Sequence, residues 1–560
     1  MGRVILKEIH IKNLGPIKED KVILDAFTYF VGRNNAGKSH YLKAIALLLA
    51  SKAPDSAEIG KLQRDKNFPV EVTGHFEGVR DFTHLLSQSK HKDAIEKKII
   101  GDVLIVTRRL DPSNKDNTLF GIPESDGSIK NVTGLPATLL SILPEAIEII
   151  ATADTEDELK NKANNSLDKL KKEVLSAFFQ SLKEETKKAL VGIDKFLHSS
   201  EEGERSQDLV SFEGHLKEEL MGEFMDIKPS IEFGLPNEEV IAKEMKVFLD
   251  DGHRSEVEQK GHGLQRAALL AMLRVLAKHG SRYQDKPAPL FLIGEIETFL
   301  HPYAQTLLAQ ALEKLVDRYQ VITSTHSPFI ISPSRISGYR RVVKKVYEGT
   351  KNIAFKSDGD VDIKLISRHL ERRGNLEGLF ADRIILIEGQ HDEGFYEKLR
   401  SVFNIPLPSN KFTLFVKACG KKELRNARKF YQYIGFDDVS IICDVDNLFS
   451  NNSDNKLLFK DAGLSDDYIQ KFRAHINWTD AGDPPLKFVI QGLENKKAPE
   501  DFDKIINALA LKRVFVLHKG SPESYYKNSF GEKDGWEQIE NEGDLLEPEY
   551  LKKLIQNVLN

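Results

Sequence analysis

Apolar and charged residues alternate along MGRVILKEIHIKNL at the start of the chain, and that period of two predicts a β-strand. KVILDAFTYFVG reads as a second, mostly apolar strand. It runs directly into GRNNAGKS and then HYLKAIALLLA, which has helical length and spacing, so the order is strand, glycine-bounded loop, helix. VEVTGHFEGV and DVLIVTRRL predict further strands. Between about 145 and 225 the character changes: TEDELKNKANNSLDKLKKEVLSAFFQSLKEETKKAL is rich in Lys, Glu and Leu and lacks Pro. It predicts one or more long amphipathic helices, either a solvated insertion or a dimerisation arm. Beyond it GHGLQRAALLAMLRVLAKHG predicts a helix and APLFLIGEIETFLHP a buried strand ending in a turn. A helix over 303–318 follows, then YQVITSTHSPFI as strand and turn. Such alternation predicts a layered α/β domain. A second alternation begins near 380, where IILIEG, TLFVKACG, VSIICDVD and RVFVLHKG are short apolar strands ending in Gly or acidic residues. Helices are predicted near 391–403 and 421–434, giving a smaller Rossmann-like unit. The boundary falls in 350–378, where charges and Gly are dense.

Composition narrows the class. At roughly 150 residues per domain, 560 residues predict three or four domains. The balance of 40% hydrophobic and 29% charged residues is globular. A formal net charge of -5 excludes a uniformly basic, histone-like protein but permits a local basic groove for nucleic acid. Two cysteines, Cys419 and Cys443, exclude a disulfide scaffold and a four-cysteine zinc site, and they fit a reducing compartment. The longest apolar run, AIALLLA at 44–50, falls short of the roughly 18 residues of a membrane span. The N-terminal stretch lacks a signal-peptide core. A cytoplasmic protein with no membrane partner is the expectation.

Gly32-Arg33-Asn34-Asn35-Ala36-Gly37-Lys38-Ser39 matches the phosphate-loop pattern in its strand–loop–helix context. Its glycines let backbone N–H groups face phosphate oxygens, and the following helix adds its N-terminal dipole. Lys38 would reach the β- and γ-phosphates and Ser39 would hold magnesium, with Gly32, Asn34, Asn35, Ala36 and Gly37 lining the cradle. Glu295, after a buried strand and Gly294, stands where a carboxylate could polarise an attacking water. His326, after QVITST, could sense the γ-phosphate, although a lone histidine after a strand is often structural.

The set GRNNAGKS, GHGLQR, GEIETFLHP and STHSP resembles the ABC-type ATPase head of the OLD (overcoming lysogenisation defect) family, which includes Gabija-type nucleases. The resemblance implies an ABC-type head over 1–145 and 231–350, with 146–230 as a helical dimerisation insertion. It sets Gly261 and Gly263 at the signature that closes on a partner's ATP, Glu295 at the catalytic base and His326 at the switch histidine. One departure is plain: the family's EEPE run is here Gly294-Glu295-Ile296-Glu297, so the acid that holds magnesium through water is replaced by Gly294. Slow or absent hydrolysis is the expectation, with ATP binding retained.

In the second unit, Glu388 closes IILIEG, and Asp392, four residues on, is expected to face the same side from a helix start. Asp444 and Asp446 close VSIICDVD, where strand residues two apart face the same way. Converging carboxylates repel unless a cation lies among them, and hard oxygen donors suit Mg²⁺ or Mn²⁺. Two such ions can drive phosphodiester cleavage. This pattern resembles the Toprim domain found C-terminal to the OLD head, here over 380–560. By that resemblance Lys519 would stabilise transition-state charge and Glu523 would hold the second metal. No zinc ribbon of the bacterial primase kind, and no separate domain bearing a DNA-linking tyrosine, is evident, so nuclease is the surviving chemistry.

The expected function is an ATP-binding, divalent-metal-dependent DNA endonuclease whose nucleotide state regulates cleavage. The family link implies prokaryotic antiphage defence, a homodimer or higher homo-oligomer, and a helicase-like partner. Lys421, Lys422 and Arg425, on a predicted helix, are candidate DNA contacts, although such a charge run also fits a solvated face. The alternative is a non-enzymatic nucleotide-sensing scaffold that gates a partner, which Gly294 favours. A repair ATPase with a zinc hook is not supported by the cysteine spacing.

Overall fold

The computed structural model describes all residues except 1–2, 87–88, 115–117, 130–131, 151–169, 171–206, 222–226, 234–244, 280–285, 299, 346, 356–362, 372–374, 410, 419, 450–458, 461–464, 476–488, 491–501, 528–534 and 560. Most of the expected helical insertion, and Cys419, thus lie outside the described residues. The chain forms two compact α/β units, Met1–Ala354 and Phe355–Asn560.

The first unit is built on an eleven-stranded mixed sheet. Its strands are β1 (Ile5–Leu14), β2 (Ile17–Ile23), β3 (Phe27–Val31), β4 (Val70–Glu77), β5 (Val103–Leu110), β6 (Leu119–Gly121), β7 (Ala146–Ile150), β11 (Leu290–Gly294), β12 (Gln320–Thr325), β13 (Tyr339–Lys345) and β14 (Gly349–Ala354), in the order β6-β5-β4-β1-β2-β14-β13-β3-β12-β11-β7. The run β13-β3-β12-β11-β7 is parallel. Its central strands β3, β12 and β11 are buried along their whole length, as the continuous apolar runs demand of strands covered on both faces. The other side of the sheet is antiparallel, and β1 there shows the predicted half-buried alternation. A small separate sheet joins β8 (Lys228–Phe233), β9 (Met245–Asp250) and β10 (Arg254–Glu256). Helix α1 (Lys38–Leu49) covers the large sheet with Tyr41, Leu42, Ile45 and Leu48; helices α2 (His262–His279) and α3 (Pro302–Leu315) belong to the same unit.

Two sequence expectations change here. The single strand expected over KVILDAFTYFVG is two, because the chain turns at Asp25, whose N–H donates to Thr28 Oγ1 (2.9 Å). β2 pairs antiparallel with β1, whereas β3 lies between β13 and β12. Residues 146–150, assigned to the helical insertion, form the edge strand β7.

The second unit has a parallel four-stranded sheet of β15 (Arg383–Ile387), β16 (Thr413–Lys417), β17 (Val439–Asp444) and β18 (Val514–Leu517), ordered β16-β15-β17-β18. Helices α4 (Gln390–Val402) and α5 (Leu424–Tyr433) connect its strands, and α6 (Pro548–Leu559) packs Leu551, Ile555 and Val558 into the same core as Phe395 and Leu399 of α4. The sequence reading missed α6. At the N-terminal ends of the strands Asp438 accepts from Arg383 Nε (2.5 Å) and Arg513 Nη2 (2.5 Å), with Lys411 Nζ at 3.5 Å. Burial alone would raise the Asp438 carboxyl; the Arg513 and Arg383 guanidiniums outweigh it and hold it below the usual carboxylate range.

Arg383 is 3% exposed, so removing its carboxylate strands a buried cation. Asp438→Ala is expected to lose about 3 kcal/mol in urea unfolding. In the parent protein a carboxyl depressed on folding contributes stability that is present at neutral pH and is lost as pH falls below about 4. A flat stability profile through that window, or an unaltered midpoint in the variant, contradicts the assignment.

Candidate functional site

In the first unit the phosphate loop turns at Asn35 (φ 61°) and Gly37 (φ 104°), both in the left-handed region. A Cβ on Gly37 would meet Pro16 Cγ at 2.8 Å and Thr350 Oγ1 at 2.9 Å, so glycine is needed for space as well as for backbone angle. Thr350 Oγ1 donates to the Ala36 carbonyl (2.7 Å), which fastens the loop to β14. Gly32 begins the loop and Asn34 lies exposed within it; Ser39 is exposed on the first turn of α1. Lys38 is 4% exposed, and its Nζ donates to the carbonyls of Gly32 and Arg33, both at 3.2 Å. It also lies 2.6 Å from His326 Nε2. Burial pulls the Lys38 ammonium pKa down, opposed by Glu295 and Glu297. Burial, then Lys38, lowers His326, which matches a neutral imidazole accepting from the lysine.

Glu295 follows β11 in the left-handed region (φ 50°), an uncommon conformation for a side-chain-bearing residue. Its Oε1 lies 3.6 Å from His326 Nε2 and 4.0 Å from Lys38 Nζ. Lys38, Glu295 and His326 are therefore brought together from the ends of three adjacent parallel strands, β3, β11 and β12. The sequence reading assigned no role to Glu297. It is 6% exposed and its Oε1 accepts from Thr325 Oγ1 (2.7 Å) and the His326 N–H (2.8 Å). The signal was present, an acid two residues beyond Glu295 in GEIE, but its partners lie 28 and 29 residues away in sequence. Gly261 precedes, and Gly263 lies in the first turn of, helix α2 (His262–His279).

In the second unit Glu388 follows β15 and Asp444 ends β17. Glu388 Oε1 accepts the Asp444 N–H (3.1 Å) and a short hydrogen bond from the Asn447 side-chain amide. This contact explains a correction. Asp446 does not continue the strand as expected, because the chain after Asp444 coils into a 3-10 turn over Val445–Phe449, tied by Asn447 to Glu388. Asp392, in the first turn of α4, accepts from the Gly389 N–H (2.9 Å). Glu523 lies on the short turn Pro522–Tyr525.

Burial, reinforced by Asp446 and Asp392, lifts the Glu388 carboxyl to about 7. Asp444 is driven well above the usual range by burial, then by Glu388, Asp392, Asp446 and Glu523. Asp392 is raised by burial and by Glu523. Glu388 and Asp392 thus act on Asp444, with Asp446 and Glu523 adding to the negative charge it meets; the donors are all hard oxygens, the chemistry that fits a divalent cation. Among the described residues no three His, Cys, Asp or Glu side chains already surround one point as a metal centre.

The basic candidates divide. Lys421 Nζ sits 3.1 Å from Asp446 Oδ2, so this cation faces the acids. Lys421–Glu423 form a 3-10 turn and not the expected helix, α5 starting at Leu424; Lys422 is exposed and Arg425 half-buried. Lys519 pairs with Glu547 (2.5 Å), which also holds His518 (2.9 Å). Glu547 was not anticipated either.

Comparison with known proteins follows the same division of the chain. A family model described as an AAA ATPase domain matches residues 5–331, and one described as an overcoming lysogenization defect protein-like TOPRIM domain matches 379–446. The chain is 27% identical over 548 residues to the Old nuclease of Escherichia phage P2, covering 92% of this chain and 90% of that protein. It is 24% identical over 424 residues to the OLD nuclease of Thermus scotoductus, covering 69% and 72%. With Endonuclease GajA of Bacillus cereus it shares 22% over 409 residues, covering 70% and 67%.

Lys38→Ala is expected to abolish ATP binding in a fluorescent-nucleotide titration while leaving the circular dichroism spectrum intact. Gly37→Ala should weaken binding by at least ~10-fold through the collision with Pro16 and Thr350. Parent-like titration curves for both variants would remove the loop from the nucleotide site.

Proposed function

The chain belongs to the OLD family, an AAA ATPase domain followed by an OLD-like TOPRIM domain, and from that premise we propose that it is an ATP-regulated, divalent-metal-dependent DNA endonuclease. The observation that carries the reading is the half-buried acid ensemble at the C-terminal ends of β15 and β17. Carboxylates gathered in this way repel one another, and a cation among them removes that cost. Glu388, Asp392, Asp444, Asp446 and Glu523 are the residues that would hold Mg²⁺ or Mn²⁺. Bound there, the metal supplies an activated water and charge stabilisation for the leaving oxygen. Lys519, at the end of β18, carries the positive charge that would offset negative charge growing on the phosphate.

The first unit binds ATP through Lys38 and the loop amides. Glu295 orients water and His326 senses the γ-phosphate. Gly261 and Gly263 of a second copy complete the nucleotide sandwich, so the working form is a homodimer or a higher homo-oligomer. The biological setting in this reading is prokaryotic antiphage defence beside a helicase-like partner. No helix among the described residues is long and apolar enough to cross a membrane, and a cytoplasmic location is part of the same proposal. Gly294 favours one second reading, a nucleotide-sensing scaffold without nuclease activity that gates a partner.

Plasmid incubated with the protein and Mn²⁺ separates the two. Cleavage is expected, and Asp444→Ala should lower it by ~100-fold or more; intact plasmid in the parent reaction favours the scaffold. If no other acid replaces the one missing at Gly294, ATP turnover is very low and Gly294→Asp raises it, as read by phosphate release; robust turnover in the parent protein shows that another residue supplies the carboxylate. For DNA contacts, changing Lys422 and Arg425 together should reduce the salt slope of binding by about 2. An unchanged slope places the DNA elsewhere.

A further inference from the structure

Gly294 opposes Ser324 in the parallel register of β11 and β12, and the Glu295 N–H donates to the Ser324 carbonyl (2.9 Å). Gly294 therefore leaves this strand end with no side chain at all. Three residues on stands Glu297, whose two oxygens differ sharply. Oε1 is fully engaged by Thr325 and by the His326 N–H. Oε2 is buried and has no hydrogen-bond partner, and the hydroxyl of Ser324, which pairs with Gly294 in register, is likewise buried without one.

A carboxylate oxygen can only accept, and a buried acceptor without a donor calls for an explanation. The charge of Glu297 reaches Lys38 and stabilises its ammonium, so this acid acts on the nucleotide side of the strand ends. Lys38 itself is committed to Gly32, Arg33 and His326. A bound triphosphate would bring more negative charge to a pocket that already holds Glu295 and Glu297. A donor that arrives with positive charge would both satisfy Oε2 and offset that negative charge. Water on a divalent cation meets both needs, because it donates hydrogen bonds and the ion lies between the like charges.

We propose that Glu297 supplies the carboxylate that Gly294 lacks, accepting through Oε2 a hydrogen bond from water on the nucleotide-bound divalent cation. Oε1 meanwhile fixes the backbone of His326, so one side chain serves the metal and the γ-phosphate sensor together. The inference rests on the reading of the first unit as an ATP site.

The test measures binding, with no turnover involved. A fluorescent ATP analogue is titrated into the full chain with and without Mn²⁺, and nucleotide-dependent Mn²⁺ binding is followed by electron paramagnetic resonance as the difference between loaded and nucleotide-free chain, so that ions held by the second unit's acids cancel. In the parent protein Mn²⁺ is expected to tighten nucleotide binding. Glu297→Gln keeps the volume and the acceptor for Thr325. Because it removes an acid from the pocket, it should not weaken metal-free nucleotide binding, and it should weaken Mn²⁺ binding about 10-fold or more. Adding Gly294→Asp to Glu297→Gln should restore it, a rescue that a purely structural role for Glu297 does not provide. Parent-like Mn²⁺ binding in Glu297→Gln overturns the proposal, as does equal loss of metal-free and metal-dependent affinity. A parent chain that binds the analogue under neither condition overturns the ATP reading beneath it.

Discussion

Negative charge is hard to keep inside a protein, and the second unit keeps it at one edge of its sheet while neutralising it at the other. At the N-terminal ends of the strands Asp438 is met by Arg383, Arg513 and Lys411. At the C-terminal ends Glu388, Asp392, Asp446 and Glu523 bear on Asp444, with Lys421 on Asp446 as a cation at hand. The first arrangement fastens strands to one another; the second holds its groups in a state that a bound cation would relieve. Ligand sites in open α/β sheets sit at the carboxyl ends of strands, where helix starts and loops converge. The polarity of this sheet therefore decides which edge can do chemistry.

The first unit follows the same rule with a different balance. Here the buried cation is Lys38, and the groups gathered on it come from the ends of neighbouring parallel strands. Lys38 turns His326 into an acceptor and draws Glu295 close. The pocket is arranged around a lysine whose natural partner is phosphate. It differs from the second unit in being able to accept an anion without a metal, although a metal would be needed to reconcile two acids with a triphosphate.

Much of this was legible in the sequence where the chemistry is contiguous. The phosphate loop is eight consecutive residues between a strand and a helix, and local order suffices to recognise it. Glu388 and Asp444 were legible because strand ends announce themselves by apolar runs stopping at an acid. Asp446 was misplaced because its geometry depends on Glu388, 58 positions upstream, capturing Asn447 and curling the chain. Glu297, Thr350, Glu547 and Asp438 were missed for a related reason: each acts through a partner distant in sequence or through a loop whose turn no periodicity encodes. The division of the opening apolar run into β2 and β3 likewise rests on a side-chain hydroxyl at Thr28, a detail that hydrophobic spacing does not carry.

Thr350 has a further mechanical meaning. Its hydroxyl grips the Ala36 carbonyl inside the phosphate loop, and its strand ends at Ala354, one residue before the second unit begins at Phe355. Four peptide bonds thus separate the clamp on the nucleotide cradle from the last residue of the first unit. A shift in that cradle as triphosphate arrives or leaves would pull on β14 through this one hydroxyl.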